Sequence, residues 1–229
     1  MSDPALSRRR FIELASLLGG TAGFSMAAHA EPVRPNRLFV AHGTRFSQVE
    51  LAMDAITDAG PDNPWLVEVM PGVYDVDFRV KPWVSIRGSG PLATIFEGVG
   101  AATMRAGPNT HLQDFSIRHT SSRPDESAIR PDGQGSVVYL DGIHVDQRGP
   151  GCAVFTANAR TESTWWLRRM RIRAEGTALD VAGTVLIDDT KAALYGDHCG
   201  WSHVGLRAVR FSRIYLNNCR IGTGYWHEW

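Results

Sequence analysis

The chain has little cysteine, almost no lysine, no net charge and no helical pattern beyond residue 60, and each shortage excludes something. Three cysteines in 229 residues are too few for a disulfide-stapled framework. None has the Cys-x-x-Cys spacing of a metal or redox site. Cys152 and Cys199 lie in glycine-flanked turns, where a late disulfide and free thiols both stay open, and Cys219 falls on an apolar repeat position. Basic and acidic residues number 24 each, so no bulk field favours nucleic acid or an anionic membrane surface. Lys81 and Lys191 are the only lysines. The remaining cations are arginines, whose forked guanidinium suits carboxylates, although a compositional habit of the source genome produces the same bias. The most apolar run, Leu14 to Ala28, is too short and too rich in glycine to span a bilayer comfortably.

That run belongs to an export address. Ser7-Arg8-Arg9-Arg10-Phe11 followed by the apolar run and Ala28-His29-Ala30 has the n-region, h-region and small-x-small end of a cleavable signal. The pattern resembles twin-arginine signals, with Glu13 where such signals often carry lysine. It implies passage through the twin-arginine export machinery, cleavage after Ala30, no stable membrane anchor and a periplasmic or secreted mature chain. Residues 31–229 then read as one domain, close to neutral, with no nucleic-acid partner.

What is present is short, β-type and repetitive. Trp65 to Gly98 strings β-branched runs (Leu66–Val69, Val84–Ile86, Thr94–Phe96) through Pro71-Gly72 and Gly88-Ser89-Gly90, which reads as the first coil of a solenoid. Before it, Ser47 to Ala59 is the one convincing helix. Ser47-x-x-Glu50 fits a capping box, Gly60-Pro61 a stop, and Phe46, Val49, Met53 and Ile56 one apolar stripe. Residues 46–60 are therefore expected to cap the open end of coils spanning 65–229.

Two markers repeat. Leu-x-x-apolar-x-apolar occurs at Leu112/Phe115/Ile117, Leu140/Ile143/Val145, Leu167/Met170/Ile172 and Leu216/Cys219/Ile221, while Ala102, Ala128, Ala153 and Ala178 recur with almost the same period. A shared period in this range marks a solenoid. Asp114, Gly142, Arg169 and Asn218 precede the central apolar residue; three of the four tolerate left-handed backbone, so a sharp bend between two short strands is expected there. The expected fold is all-β, a right-handed parallel β-helix with a short N-terminal capping helix; a β-sandwich is the competing arrangement.

Phe46 to Ile56, Val67 to Tyr74 with its Pro-Gly-x-Tyr, Val84 to Gly90 with its Gly-x-Gly, and Thr94 to Gly98 together resemble the N-terminal part of pectinesterase-type, pectin-lyase-like β-helix proteins. The resemblance covers residues 46–98 and implies an extracytoplasmic polysaccharide as partner, acidic polymers among the candidates. It would also imply two aspartates, glutamines and an arginine on middle coils. The family's Gln-Asp-Thr-Leu motif is absent here, so no role maps residue by residue.

Candidate chemistry is read from residues 180–207, where the leucine marker lapses. Asp188, Asp189, Lys191 and Arg207 are the candidate catalytic residues, beside Asp180, Asp197, His198 and His203. Paired carboxylates suit glycoside hydrolysis. Lys191 or Arg207 as base beside a Ca²⁺-neutralised uronate suits a lyase, and an esterase is the third possibility. A solvated polar turn with surface ion pairs is the plain alternative. Trp166, Trp201, His198 and His203 are the candidate substrate-binding residues; His198 and His203 lack the spacing of a zinc site. Of Trp165 and Trp166, strand alternation turns one inward, and Tyr225 to Trp229 read as a plug for the C-terminal end. Two functions remain open: a small carbohydrate-active enzyme, or a non-catalytic β-helix that binds glycan or serves as a surface scaffold.

Overall fold

Three parallel sheets, wound one after another, account for every strand among the described residues of the computed structural model, which are 36–45, 47–132, 137–156, 163–194, 204–208 and 213–223. The expected signal segment, Phe46, Trp201, His198, His203, Cys199, Asp197 and the terminal aromatics lie outside the described residues. Sheet 1 holds Asn36–Val40, Trp65–Val69, Val84–Arg87, Thr110–Gln113, Val137–Asp141, Thr164–Arg168, Thr184–Asp188 and Arg213–Asn217. Sheet 2 holds Gly72–Asp75, Thr94–Val99, Ser116–Thr120, His144–Arg148, Arg171–Ala174, Lys191–Leu194 and Arg220–Thr223. Sheet 3 holds Phe78–Val80, Ala102–Ala106, Ser127–Pro131, Cys152–Phe155, Thr177–Val181 and Val204–Ala208. Every strand pairs in parallel with the same sheet's strand from the next coil. That is the solenoid expected from the repeat, and it excludes the antiparallel sandwich.

The repeat registers because each apolar letter has its own inward row. Leu112, Leu140 and Leu167 stack in sheet 1, and Ile117, Val145 and Ile172 in sheet 2. All are buried, as are Phe115, Ile143 and Met170 in the bend between them. At about 25 cal/mol per Å² of apolar area removed from water, such rows supply the main stabilisation of a fold whose backbone pairing is otherwise exchanged against water. In the early coils the core is aromatic: Phe96 packs edge-on against Phe115 at 4.9 Å and against Phe78 at 5.8 Å. Trp165 is the inward member of its pair, fully buried.

The bends behave as their sequence predicts. Asp114, Gly142, Arg169 and Asn218 have φ of 59°, 65°, 51° and 48°. At the corresponding place in the preceding coil, a Cβ on Gly88 would meet the Asp114 carbonyl oxygen at 2.3 Å, and Gly90 adopts φ 124°. Ser89 between them donates its hydroxyl to the Val69 carbonyl. The Gly-Ser-Gly is therefore a steric requirement of this corner.

Four expectations need correction. Trp65 to Gly98 covers more than one coil, because Val84 pairs directly beside Trp65, and Gly72–Asp75 and Phe78–Val80 are further strands within it. The helix, α1, runs only from Val49 to Ala55, with Gln48 as N-cap and no side-chain capping bond, so the Ser47/Glu50 box does not form. It stops early because Ile56 turns extended and is fully buried, its carbonyl accepting from Lys81 Nζ at 2.7 Å. Thr57 and Asp58 are poor helix formers and do not resist. Still, α1 buries Val49, Ala52 and Met53 and packs on Asn36–Val40 and Phe78–Val80, covering the N-terminal coil.

The alanine marker is offset at its first member: Ala102 pairs with Ser127, which places Thr103, not Ala102, in the row of Ala128. Lastly, the leucine marker does not lapse. Ile187 occupies the row between Leu167 and Leu216, and Ala192 that between Ile172 and Ile221. The buried Thr190 fills the bend position, its hydroxyl accepting from Met170 N–H and donating to the Asp188 carbonyl.

Candidate functional site: rows on the outer faces

Coils of a parallel solenoid stack about 4.8 Å apart, so outward residues separated by a coil of sequence become neighbours in a row. Any site on this molecule is built from such rows. Asp189 is the fifth member of the bend series, with φ 44°. Its Oδ1 accepts from Asn218 Nδ2 at 3.2 Å, while Asp188 Oδ1 accepts from Asn217 Nδ2 at 2.8 Å and Asp188 Oδ2 lies 3.7 Å from Arg168 Nε. One coil up, Arg169 Nε donates to Asp141 Oδ1 at 2.6 Å, a bond that raises the guanidinium pKa. Carboxylates, amides and guanidinium groups thus bridge coil to coil along the corner between sheets 1 and 2.

The backbone positions of the four candidate catalytic residues are spread over the coil. Asp188 ends a strand of sheet 1, Asp189 sits in the bend and Lys191 opens the next strand of sheet 2, exposed. Arg207 belongs to sheet 3, where its backbone pairs beside Asp180. The described strands of residues 180–207 thus belong to all three sheets.

Trp166 lies on the outer face of sheet 1, in one row with His111 and Tyr139. Its ring stacks on Tyr139 at 5.6 Å and 23°, and Tyr139 meets His111 edge-on at 5.9 Å. One indole face is thus covered by a neighbouring side chain.

Sheet 3 carries a row that the sequence reading passed over. Arg79, Arg105 and Arg130 are in register on three consecutive coils, and the row continues through Phe155, Asp180 and Arg207. Arg79 Nε is 3.6 Å from Asp132 Oδ1, and Arg105 pairs with Asp77. The Arg130 guanidinium lies over the Phe155 ring, 5.4 Å from its centroid. The signal lies in the sequence: these positions recur at 25 to 27 residues, the period of the alanine marker. Among the described residues no three His, Cys, Asp or Glu side chains are grouped as metal ligands.

No protein-family model and no curated protein sequence matches the chain. Among solved structures, YbhC of Escherichia coli superposes with a TM-score of 0.52 at 14% sequence identity, covering 93% of this chain and 77% of that one. At that identity the likeness is one of fold, and it agrees with the solenoid described above.

Proposed function

We propose that the chain is an exported β-helix protein that binds an acidic polysaccharide along its outer surface, with the arginine row of sheet 3 as the contact. The observation that supports this is the register of Arg79, Arg105 and Arg130. It presents one guanidinium per coil, a rise close to that of one sugar in an extended polyuronate, and guanidinium groups pair carboxylates bidentately. The acids beside the row do not block it. Exposed ion pairs such as Arg79–Asp132 contribute about 0–1 kcal/mol each, so a ligand carboxylate can replace them. Phe155 adds an apolar surface next to Arg130 on which a sugar ring can rest.

The test is binding of polygalacturonate, with dextran as the neutral control, to the full chain and to an Arg79→Gln/Arg105→Gln/Arg130→Gln variant. Selective binding of the acidic polymer that the variant loses is expected; equal binding of dextran, or an unaffected variant, sinks the reading. Export is tested alongside by Arg8→Lys/Arg9→Lys, which should leave uncleaved precursor in the cytoplasm.

A catalytic reading keeps one observation in its favour. Asp180 follows Phe155 in the same row, in register with Arg207, so the row carries a carboxylate, which at 2% exposed would meet a polymer only after its neighbours move aside. Methanol release and new unsaturated or reducing ends, followed with wild type and Asp180→Asn, decide it. Turnover abolished by Asp180→Asn would make the protein an enzyme, and no turnover with intact binding would make it a binding module.

A further inference from the structure

Sheet 1 turns ring side chains to the outside on coil after coil. Its leucine row points inward, so the residues one step to either side form two outward rows. The first reads His111, Tyr139, Trp166, Leu186, Tyr215 over five consecutive coils. Ring packing between strands accounts for its first half, where Tyr139 joins His111 and Trp166. It does not account for the rest. Tyr139 keeps 42% and Tyr215 57% of its surface exposed, and apolar groups left in water along one face mark a contact surface.

From Glu68 on, the second outward row reads Glu68, Arg87, Gln113, Asp141, Arg168, Asp188, Asn217, a mixture of acids, guanidinium groups and amides. These groups hold one another across coils: Arg87 pairs with Glu68, Arg168 Nε lies 3.7 Å from Asp188 Oδ2, and Asn217 Nδ2 donates to Asp188 Oδ1 at 2.8 Å. On the other side of the rings run Val137, Thr164, Thr184 and Arg213. The file of rings is thus bordered by hydroxyls on one side and by donors and acceptors on the other. Along it Asp141 and Asp188 balance Arg168 and Arg213, so the strip has no net charge to offer a polyanion.

We propose that this strip binds a neutral, β-linked polysaccharide in extended form, lying along the solenoid axis across Tyr139, Trp166 and Tyr215. A pyranose ring is apolar on its C–H faces and carries donors and acceptors around its rim. The strip has the same pattern in cross-section, aromatic side chains in the middle and hydroxyls, amides and charged groups at the sides. Tyr139 and Tyr215 stand three coils apart, about 14 Å, so one extended chain of a few sugars reaches both. Dextran, whose α-1,6 links do not hold successive rings in line, does not fit. The strip lies on a different sheet from the arginine row of the preceding section and takes a polymer of different charge, so the two assignments fail separately.

The experiment titrates cellohexaose and xylohexaose calorimetrically into the full chain, and repeats the titration with Tyr139→Ala, Tyr139→Phe, Tyr215→Ala and, as the contrasting face, Arg79→Gln/Arg105→Gln/Arg130→Gln. At least one of the two neutral chains should bind, with an affinity that salt does not change. Each alanine should weaken binding about two- to tenfold, Tyr139→Phe should keep it, and the sheet 3 variant should leave it as in wild type. Tm, measured for every variant, separates a lost contact from a lost fold, and Tyr215→Ala, at an exposed position, should keep the wild-type value. Wild-type affinity in both alanine variants, or no binding of either neutral chain, would overturn the assignment. So would a dimer in sedimentation that Tyr215→Ala dissociates, since the strip would then be a contact between two copies of the chain.

Discussion

His119 Nδ1 lies 2.8 Å from Thr103 Oγ1, with both side chains buried at the corner where sheet 2 hands over to sheet 3. Burial is the main reason that the imidazole pKa falls from 6.5 to about 4, against the opposing fields of Glu126 and Asp77. The unfolded chain therefore binds more protons than the folded one between these values. Stability is complete above pH 6.5 and falls as pH drops toward 4, by on the order of 3 kcal/mol for this group. Urea unfolding at pH 7.5, 6 and 4.5 should show the decline. His144 shifts in the same direction, so the difference between wild type and His119→Gln isolates the His119 share. An identical pH slope in the two proteins would remove His119 from the account.

The inward rows set the energetic scale. Leu140, 1% exposed, is held between Leu112 and Leu167 in sheet 1, and the rigid coil on either side cannot collapse into the space it fills. Leu140→Ala should cost about 2–5 kcal/mol. Leu92→Ala should change stability by less than about 0.5 kcal/mol, because Leu92 is 90% exposed. Equilibrium denaturation of the two variants checks both.

Much of this fold was legible because the solenoid writes its geometry one residue per row. A leucine at a fixed phase, and Asp, Gly or Asn just before the central apolar residue, are local signals with local causes. The coil of Ile187, Thr190 and Ala192 was not legible: each residue fills its row while breaking the leucine spelling, and Thr190 replaces an apolar contact with two hydrogen bonds. That one spelling change made an ordinary coil look like a functional insertion. It makes Asp188 and Asp189 look like free carboxylates in the sequence, whereas their partners Asn217 and Asn218 come from the next coil, a pairing that distance along the chain hides. Arg79, Arg105 and Arg130 failed to register for the opposite reason. Their period was present, but register across sheet 3 is what turns three scattered arginines into a row.

Asp189 separates structural from chemical roles. At φ 44° an L-residue is strained by roughly 1–2 kcal/mol, and asparagine tolerates the geometry as well as aspartate. Asp189→Asn should therefore leave thermal stability and polysaccharide binding unchanged. Asp189→Val, β-branched in the same bend, should lose about 2 kcal/mol or more. Loss of binding or turnover in Asp189→Asn at unchanged Tm would instead return this residue to the functional site.

Glu126 closes the exposed turn that joins sheets 2 and 3. Its carboxylate, 4% exposed, accepts from the backbone N–H groups of Ser122 and Arg123 at 2.5 and 3.2 Å and from Arg123 Nε at 3.3 Å. The hydrogen bonds from Ser122 are the largest reason its pKa is lowered. The ionised form is thus the one the fold binds, and its contribution is present above the ordinary value of 4.5 and lost as pH falls below it. That window begins at the lower end of the one in which His119 protonates, so the decline between pH 6.5 and 4.5 comes without Glu126 and the decline below 4.5 includes it. Glu126→Ala leaves two N–H groups of the turn without their acceptor and should cost about 2 kcal/mol at neutral pH. Because Ser122 to Asp125 are exposed, the freed turn should become a preferred site for a protease of broad specificity such as proteinase K, while the coils on either side stay resistant. A variant no more sensitive to proteinase K than wild type would show that the turn is held by Pro124 and the flanking strands instead.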